Sequence, residues 1–223
     1  YNVVSVNLSL GGGENYNFVS TNFYLGDEFL SLANQGVVVA AAAGNSYSSY
    51  QTQGVSWIAA DPNTLAVGAV FDSNIGPAYG ANTTTADQIT PFSQRSTTEM
   101  DIFAPGAMIA GAGAIANSYT NYAGTSMAAP HITGIVALMQ ELAVQTIGRK
   151  LTVAEFTSLI KSTGTTIFDG DDENDNVANT MAYYKRVDVQ AFGNAILAMN
   201  PTLTGTSGDD VLAAGQNATT ILG

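Results

Sequence analysis

An α/β fold with a mainly parallel sheet flanked by helices is what the sequence predicts, and two observations carry the prediction. A helical segment lies between two strand-like runs with no hairpin signal, and the second run, Val37 to Ala43, is apolar throughout, as a strand covered on both faces requires. Strand, helix and strand joined in this way imply a right-handed parallel crossover. Val3-Val4-Ser5-Val6-Asn7-Leu8 reads as the first strand and Gly11-Gly12-Gly13 as a turn. Asp27 to Gln35 places Phe29, Leu30, Leu32 and Ala33 at helical spacing, and Gly36 stops the helix. Leu65 to Val70 is a third buried strand, and Asp101-Ile102-Phe103, running into Ala104-Pro105-Gly106, is a shorter fourth. From Met127 to Leu142 the residues are apolar almost all round, so this helix is expected to be buried. Thr152-Val153-Ala154-Glu155 is a capping box that opens a second long helix, and Asp188 caps a third that runs to about Met199.

Composition narrows the function. Of the 223 residues 46% are hydrophobic and 11% charged, enough apolar material for a sizeable core. A net charge of −12 offers nothing to nucleic acid or an anionic membrane, and both are excluded as partners. The absence of cysteine removes disulfides, thiol nucleophiles and thiolate-held metals, and the single histidine, His131, removes every chemistry that needs two. No stretch reaches the roughly 18 consecutive apolar residues of a membrane span. The chain opens at Tyr1, without an initiator methionine, directly into a strand-like segment, so it is expected to begin inside a domain. After Asn200-Pro201 the composition turns to Gly, Thr, Asp and Ala, which sets the expected boundary between 1–200 and 201–223.

The chemistry is concentrated in Tyr122-Ala123-Gly124-Thr125-Ser126-Met127-Ala128-Ala129-Pro130-His131. Ser126 stands where a loop enters the apolar helix, so its N–H lacks an intrahelical acceptor and sits at the positive end of the dipole. Such a serine is either a helix cap or a nucleophile whose own N–H receives the oxyanion. The polar loops Ser46 to Gly54 and Ser73 to Thr90 are long enough to face a substrate or hold an ion.

This segment, together with Ser9-Leu10-Gly11-Gly12, Ala42-Ala43-Gly44-Asn45 and Phe103-Ala104-Pro105-Gly106 in that order, resembles the subtilisin-like serine proteases. The resemblance extends through Asn63 to Val70 and Arg186 to Gln190 and covers most of residues 3–200. It implies a three-layer fold, Ser126 as the nucleophile and Asn45 as the side chain that donates to the oxyanion. It also implies that Ser9, Leu10 and Gly11 pair with an extended peptide substrate, and that Ala42, Ala43 and Gly44 form the other wall of the specificity pocket. Protein or peptide substrates and secretion follow from the same likeness.

One departure is decisive. A serine of this kind needs a histidine to take its proton and an aspartate to orient the imidazole. His131 follows Ser126 by five residues on one helix, hence about 140° round and about 7.5 Å along, so it faces away; within the motif it matches the family's structural histidine. The family's order places the catalytic aspartate and histidine before the serine, upstream of Tyr1. These residues alone are therefore expected to be inactive and, with sheet strands missing, prone to aggregate, the missing part of the domain being a partner. The alternative is a pseudoprotease or calcium-dependent binding module that keeps only the scaffold. A hydrolase of the G-x-S-x-G type is excluded by Ala128 and by the lack of a later histidine.

Two acidic stretches raise calcium. Asp169 to Asp175 fails the EF-hand pattern at Asn174 and Thr180 and reads as a solvated loop. Gly205-Thr206-Ser207-Gly208-Asp209-Asp210-Val211-Leu212-Ala213 resembles one calcium-binding RTX nonapeptide, with Asp209 and Asp210 as candidate ligands, followed by a degraded second copy reaching Ile221; the same composition also suits a glycine-rich linker.

Overall fold

The computed structural model describes residues 2–19, 24–170, 177–200, 202–204 and 220–222. Its elements are β1 (Ser5–Leu8), α1 (Gly26–Asn34), β2 (Val38–Ala42), α2 (Tyr47–Tyr50), β3 (Leu65–Val70), β4 (Ile102–Pro105), β5 (Ile109–Ala112), β6 (Tyr119–Tyr122), α3 (Thr125–Ile147), α4 (Val153–Thr163), β7 (Thr165–Phe168), β8 (Tyr183–Arg186), α5 (Val189–Leu197), β9 (Thr202–Thr204) and β10 (Thr220–Leu222).

Six strands form the main sheet in the order β1-β2-β3-β4-β8-β7. All pairings are parallel except the last, where β7 and β8 run antiparallel and close one edge. The predicted fold class therefore stands, with the antiparallel edge as an addition. The pleat divides β2 between two cores. Val38, Ala40 and Ala42 face α3, α4 and α5, while Val39, Ala41 and Ala43 face Phe29 of α1 and the segment around Val55 and Ile58. Helices on one side, sheet, and helix with loop on the other make three layers.

Local signals read in the sequence operate as expected. The Thr152 hydroxyl accepts from the Glu155 N–H at 3.2 Å, and the Glu155 carboxylate accepts from the Thr152 N–H at 2.8 Å. Asp188 caps α5 by accepting from the Ala191 N–H at 2.9 Å. Gly36 ends α1 with a φ of 75°, although Leu30 on the expected apolar face is 49% exposed.

Two expectations are corrected. α3 is long and apolar, but its burial is one-sided: Ala128, Ala129, Ile132 and Val136 are fully buried against the sheet, whereas Pro130, His131, Gly134, Ala137 and Leu138 face outward, with Leu138 63% exposed. Apolar residues all round a helix record what it is able to bury, not what surrounds it. Asp169 is not solvated but 1% exposed, with Oδ2 lying 3.1 Å from Nε of the fully buried Arg95. A carboxylate reaches the interior only with such a partner, and the two are 74 positions apart, beyond any local pattern. Residues 171–175 of that acidic run, and Asp209 and Asp210 of the tail, lie outside the described residues. Among the described residues no group of three histidine, cysteine or acidic side chains is placed to hold a metal.

Candidate active site

The carboxyl ends of the parallel strands are where an open α/β sheet leaves a crevice. Here the chain after β1, the chain after β2 and the start of α3 enclose a cleft of ≈ 320 Å³. Ser9, Leu10 and Gly11 line one side and Ala42, Gly44 and Asn45 the other, with Ser126 between them. Ala43 is the one expected wall residue that does not line the cleft. Strand alternation turns its side chain into the opposite core, where it is fully buried, and its carbonyl accepts from the Ser56 N–H at 2.7 Å.

Ser126 is the second residue of α3, so its N–H is one of the helix's unpaired donors. Gly124 precedes the helix with φ 151° and ψ 160°, and its N–H donates to the Gly106 carbonyl at 2.7 Å. A Cβ at Gly124 would stand 3.2 Å from Nδ2 of Asn45, so a side chain there would crowd the amide it faces. The Ser9 hydroxyl donates to the Ser126 carbonyl at 2.6 Å, fastening the end of β1 to the first turn of α3.

Asn45 is held by its oxygen. The Thr125 N–H donates to Asn45 Oδ1 at 2.8 Å and the Thr125 hydroxyl does so at 3.0 Å. The Gly44 N–H donates in turn to that hydroxyl at 3.1 Å. With the oxygen occupied, the amide nitrogen is the end available to donate, and Asn45 itself is exposed to the cleft. A carbonyl oxygen developing negative charge near Ser126 would meet two donors whose orientation is set before it arrives.

Beneath this loop lies a polar layer that sequence reasoning missed. Tyr47, two residues after Asn45, is 1% exposed; the Arg95 guanidinium stacks on its ring at 3.8 Å and its hydroxyl donates to the Ala178 carbonyl at 2.7 Å. Asp169 Oδ2 also accepts from the Thr180 N–H at 2.7 Å and the Thr180 hydroxyl at 2.6 Å. Tyr184, whose hydroxyl donates to Thr180, has its phenol pushed up to about 12, chiefly by burial. Thr125 stood in plain view inside the serine motif; its role depends on the approach of a loop 80 positions away.

His131 lies outside the cleft. It is exposed, and its Nδ1 sits 2.8 Å from the Met127 carbonyl of its own helix. As the chain's single histidine it leaves Ser126 without an imidazole among these 223 residues.

The subtilase family, peptidase S8, matches residues 3–185. The chain is 38% identical to subtilisin E of Bacillus subtilis over 138 residues, which are 62% of this chain and 31% of that protein. It is 33% identical over 159 residues to an extracellular protease of Xanthomonas campestris, covering 71% of this chain and 24% of the other. Among solved structures, the patellamide maturation protease PatA superposes with a TM-score of 0.63 at 25% identity, covering 88% of this chain and 64% of that one. The chain thus spans about a third of the curated relatives it resembles.

Proposed function

The chain belongs to the subtilase family, and from that premise we propose that it is the nucleophile-bearing part of a secreted serine endopeptidase. The observation that carries the reading is the joint placement of Ser126 at a helix N-terminus and an Asn45 amide with its oxygen already engaged. In this reading Ser126 Oγ attacks the scissile carbonyl, and its proton passes to an imidazole. The oxyanion of the tetrahedral intermediate accepts from the Ser126 N–H and from Asn45 Nδ2. Collapse expels the amine, which takes the proton from the imidazolium, and water then releases the acyl group from Ser126 by the same route.

The imidazole and its orienting carboxylate are assigned to residues preceding Tyr1 in the parent protein, in the family's order. The outward face of α3 and the free edge of β1 are the surfaces on which that part would pack. Secretion is supported by the names of relatives from Xanthomonas campestris and Dichelobacter nodosus, both called extracellular. A calcium-binding repeat in the tail is supported by the parallel pairing of β9 with β10, in which Leu203 stands opposite Ile221, two nonapeptides apart. A calcium titration of a tail-extended chain followed by circular dichroism tests it: unchanged spectra remove the repeat.

The activity is tested on the parent protein with a fluorogenic peptide mixture. Hydrolysis abolished in Ser126→Ala, and reduced about 10²–10³-fold in kcat in Asn45→Ala, supports the endopeptidase; that magnitude is the one measured in subtilisin itself. Absence of serine-dependent hydrolysis by the intact parent points instead to a pseudoprotease. Turnover by the 223 residues alone would overturn the assignment of the base to a preceding segment.

A further inference from the structure

The buried ion pair of Arg95 and Asp169 takes no part in the chemistry proposed above, yet it lies under the turn that carries Asn45. Thr125 fixes only the oxygen of the Asn45 amide. The terminal torsion of an asparagine is broad, so an amide anchored at its oxygen alone can swing about that atom. The direction of Nδ2 becomes unique only when the Cα at the other end is fixed as well. What holds the backbone around Asn45 therefore decides where the donor points.

Along one side the turn is fastened to residues 92–94. The Gln94 N–H donates to the Gly44 carbonyl at 2.9 Å, and the Tyr47 N–H donates to the Phe92 carbonyl at 3.1 Å. Gln94 is itself tied down, its Nε2 donating to the Glu14 carbonyl at 2.9 Å. Tyr47 then opens α2, a four-residue helix too short to hold its own shape. Its support comes from residues distant in sequence. The Arg95 guanidinium lies on the Tyr47 ring, the Tyr47 hydroxyl donates to the Ala178 carbonyl, and the Ala178 N–H donates at 2.9 Å to Oε1 of Gln51, just past the far end of α2. Asp169 governs both supports, because its Oδ2 holds Arg95 Nε together with the N–H and hydroxyl of Thr180, two residues after Ala178.

As a source of stability this pair is poor. Arg95 Nη2 and Asp169 Oδ1 are buried without a hydrogen-bond partner among the described residues, and Arg95 Nη1 reaches the Thr90 carbonyl only at 3.3 Å. Desolvating two charges that are so incompletely paired cancels most of their attraction, and apolar residues of similar volume would fill the layer as well. What apolar residues would not supply is direction: a planar guanidinium oriented by a carboxylate presents one face to one ring. Resting on the endopeptidase reading, we propose that Arg95, oriented by Asp169, is a positioning residue that acts through Tyr47 to fix the turn that aims Asn45 Nδ2 at the oxyanion.

The test is made on the parent protein with the fluorogenic peptides. Arg95→Met combined with Asp169→Asn exchanges the pair for neutral side chains while keeping an acceptor for Thr180. The expected result is a kcat about 10- to 100-fold lower with KM within about twofold, because a misaimed donor fails the transition state and not the bound peptide. In an Asn45→Ala background the same exchange should change kcat by less than about twofold, since no donor is left to misaim. Equal losses in the two backgrounds, a change confined to KM, or an undiminished kcat each overturns the proposal. Tyr47→Leu, which leaves the ion pair intact, should reproduce the loss and its dependence on Asn45, and serves should the double exchange fold poorly. A second measurement reads the aim directly: in the parent labelled with 15N-asparagine, the Asn45 Nδ2 proton pair is identified by its disappearance in Asn45→Ala and should shift or broaden in both variants. An unmoved pair overturns the proposal whether or not the protein is catalytic. If the intact parent cleaves no peptide, the endopeptidase reading fails, and this resonance alone decides whether Arg95 aims Asn45.

Discussion

Both faces of α3 carry apolar residues, in opposite surroundings. On one, Ala128, Ile132, Val136 and Ala143 are fully buried against β1–β4 and α5. On the other, Pro130, His131, Ala137 and Leu138 meet solvent. A helix's composition specifies its capacity for burial, while the neighbours that arrive decide how much of it is used. The N-terminal end of the helix, which lines the cleft, belongs to the closed side: Ser126 and Thr125 are locked to Ser9 and Asn45 by short hydrogen bonds. The candidate site is thus assembled on a helix whose outer face still presents apolar surface.

The largest effect that would break this contrast lies under the closed side. Asp169→Ala leaves Arg95 charged and buried beneath the Asn45 loop, and is expected to cost about 3–5 kcal/mol of unfolding free energy in urea denaturation; a change below about 1 kcal/mol would mean that the pair is open to water. On α3 itself, Ile132→Ala should lower stability by about 2–5 kcal/mol, because it empties a fully enclosed site. Leu138→Lys on the opposite face should stay within about 0.5 kcal/mol and reduce self-association in sedimentation. Equal losses at the two positions would show the outer face to be covered already.

A smaller effect concerns local structure that the core does not decide. Thr152→Ala removes the cap of α4 and should cost about 1 kcal/mol, seen as a lower thermal midpoint with an unchanged far-ultraviolet spectrum. The smallest is a pH dependence at the same cap. The Arg149 guanidinium beside Glu155 holds its carboxyl down to about 2, from an ordinary 4.5. A carboxyl lowered on folding stabilises the fold above its unfolded value and loses that contribution as pH falls from about 4.5 toward 2. Both side chains are substantially exposed, so the loss should be under about 1 kcal/mol and should vanish in Glu155→Gln.

Elements whose causes lie within a few residues are legible in the sequence. The all-apolar β2 and β3, the capping box of α4, the Asp188 cap of α5 and the glycine stop of α1 each express a local preference that tertiary packing did not need to overrule. The site was legible to the same extent: Ser126, Asn45 and the Ser9-Leu10-Gly11 edge were named from short motifs and stand around one cleft. Tertiary structure alone decided which groups meet. It paired Arg95 with Asp169, set Thr125 against Asn45, turned Ala43 away from the cleft, and brought Gln94 beside the backbone of Glu14. Those meetings join residues as many as 80 positions apart. Periodicity and capping act through bonds that close within one turn or one strand. Burying a charge or aiming an amide depends on a partner whose position exists only once the sheet has closed around it.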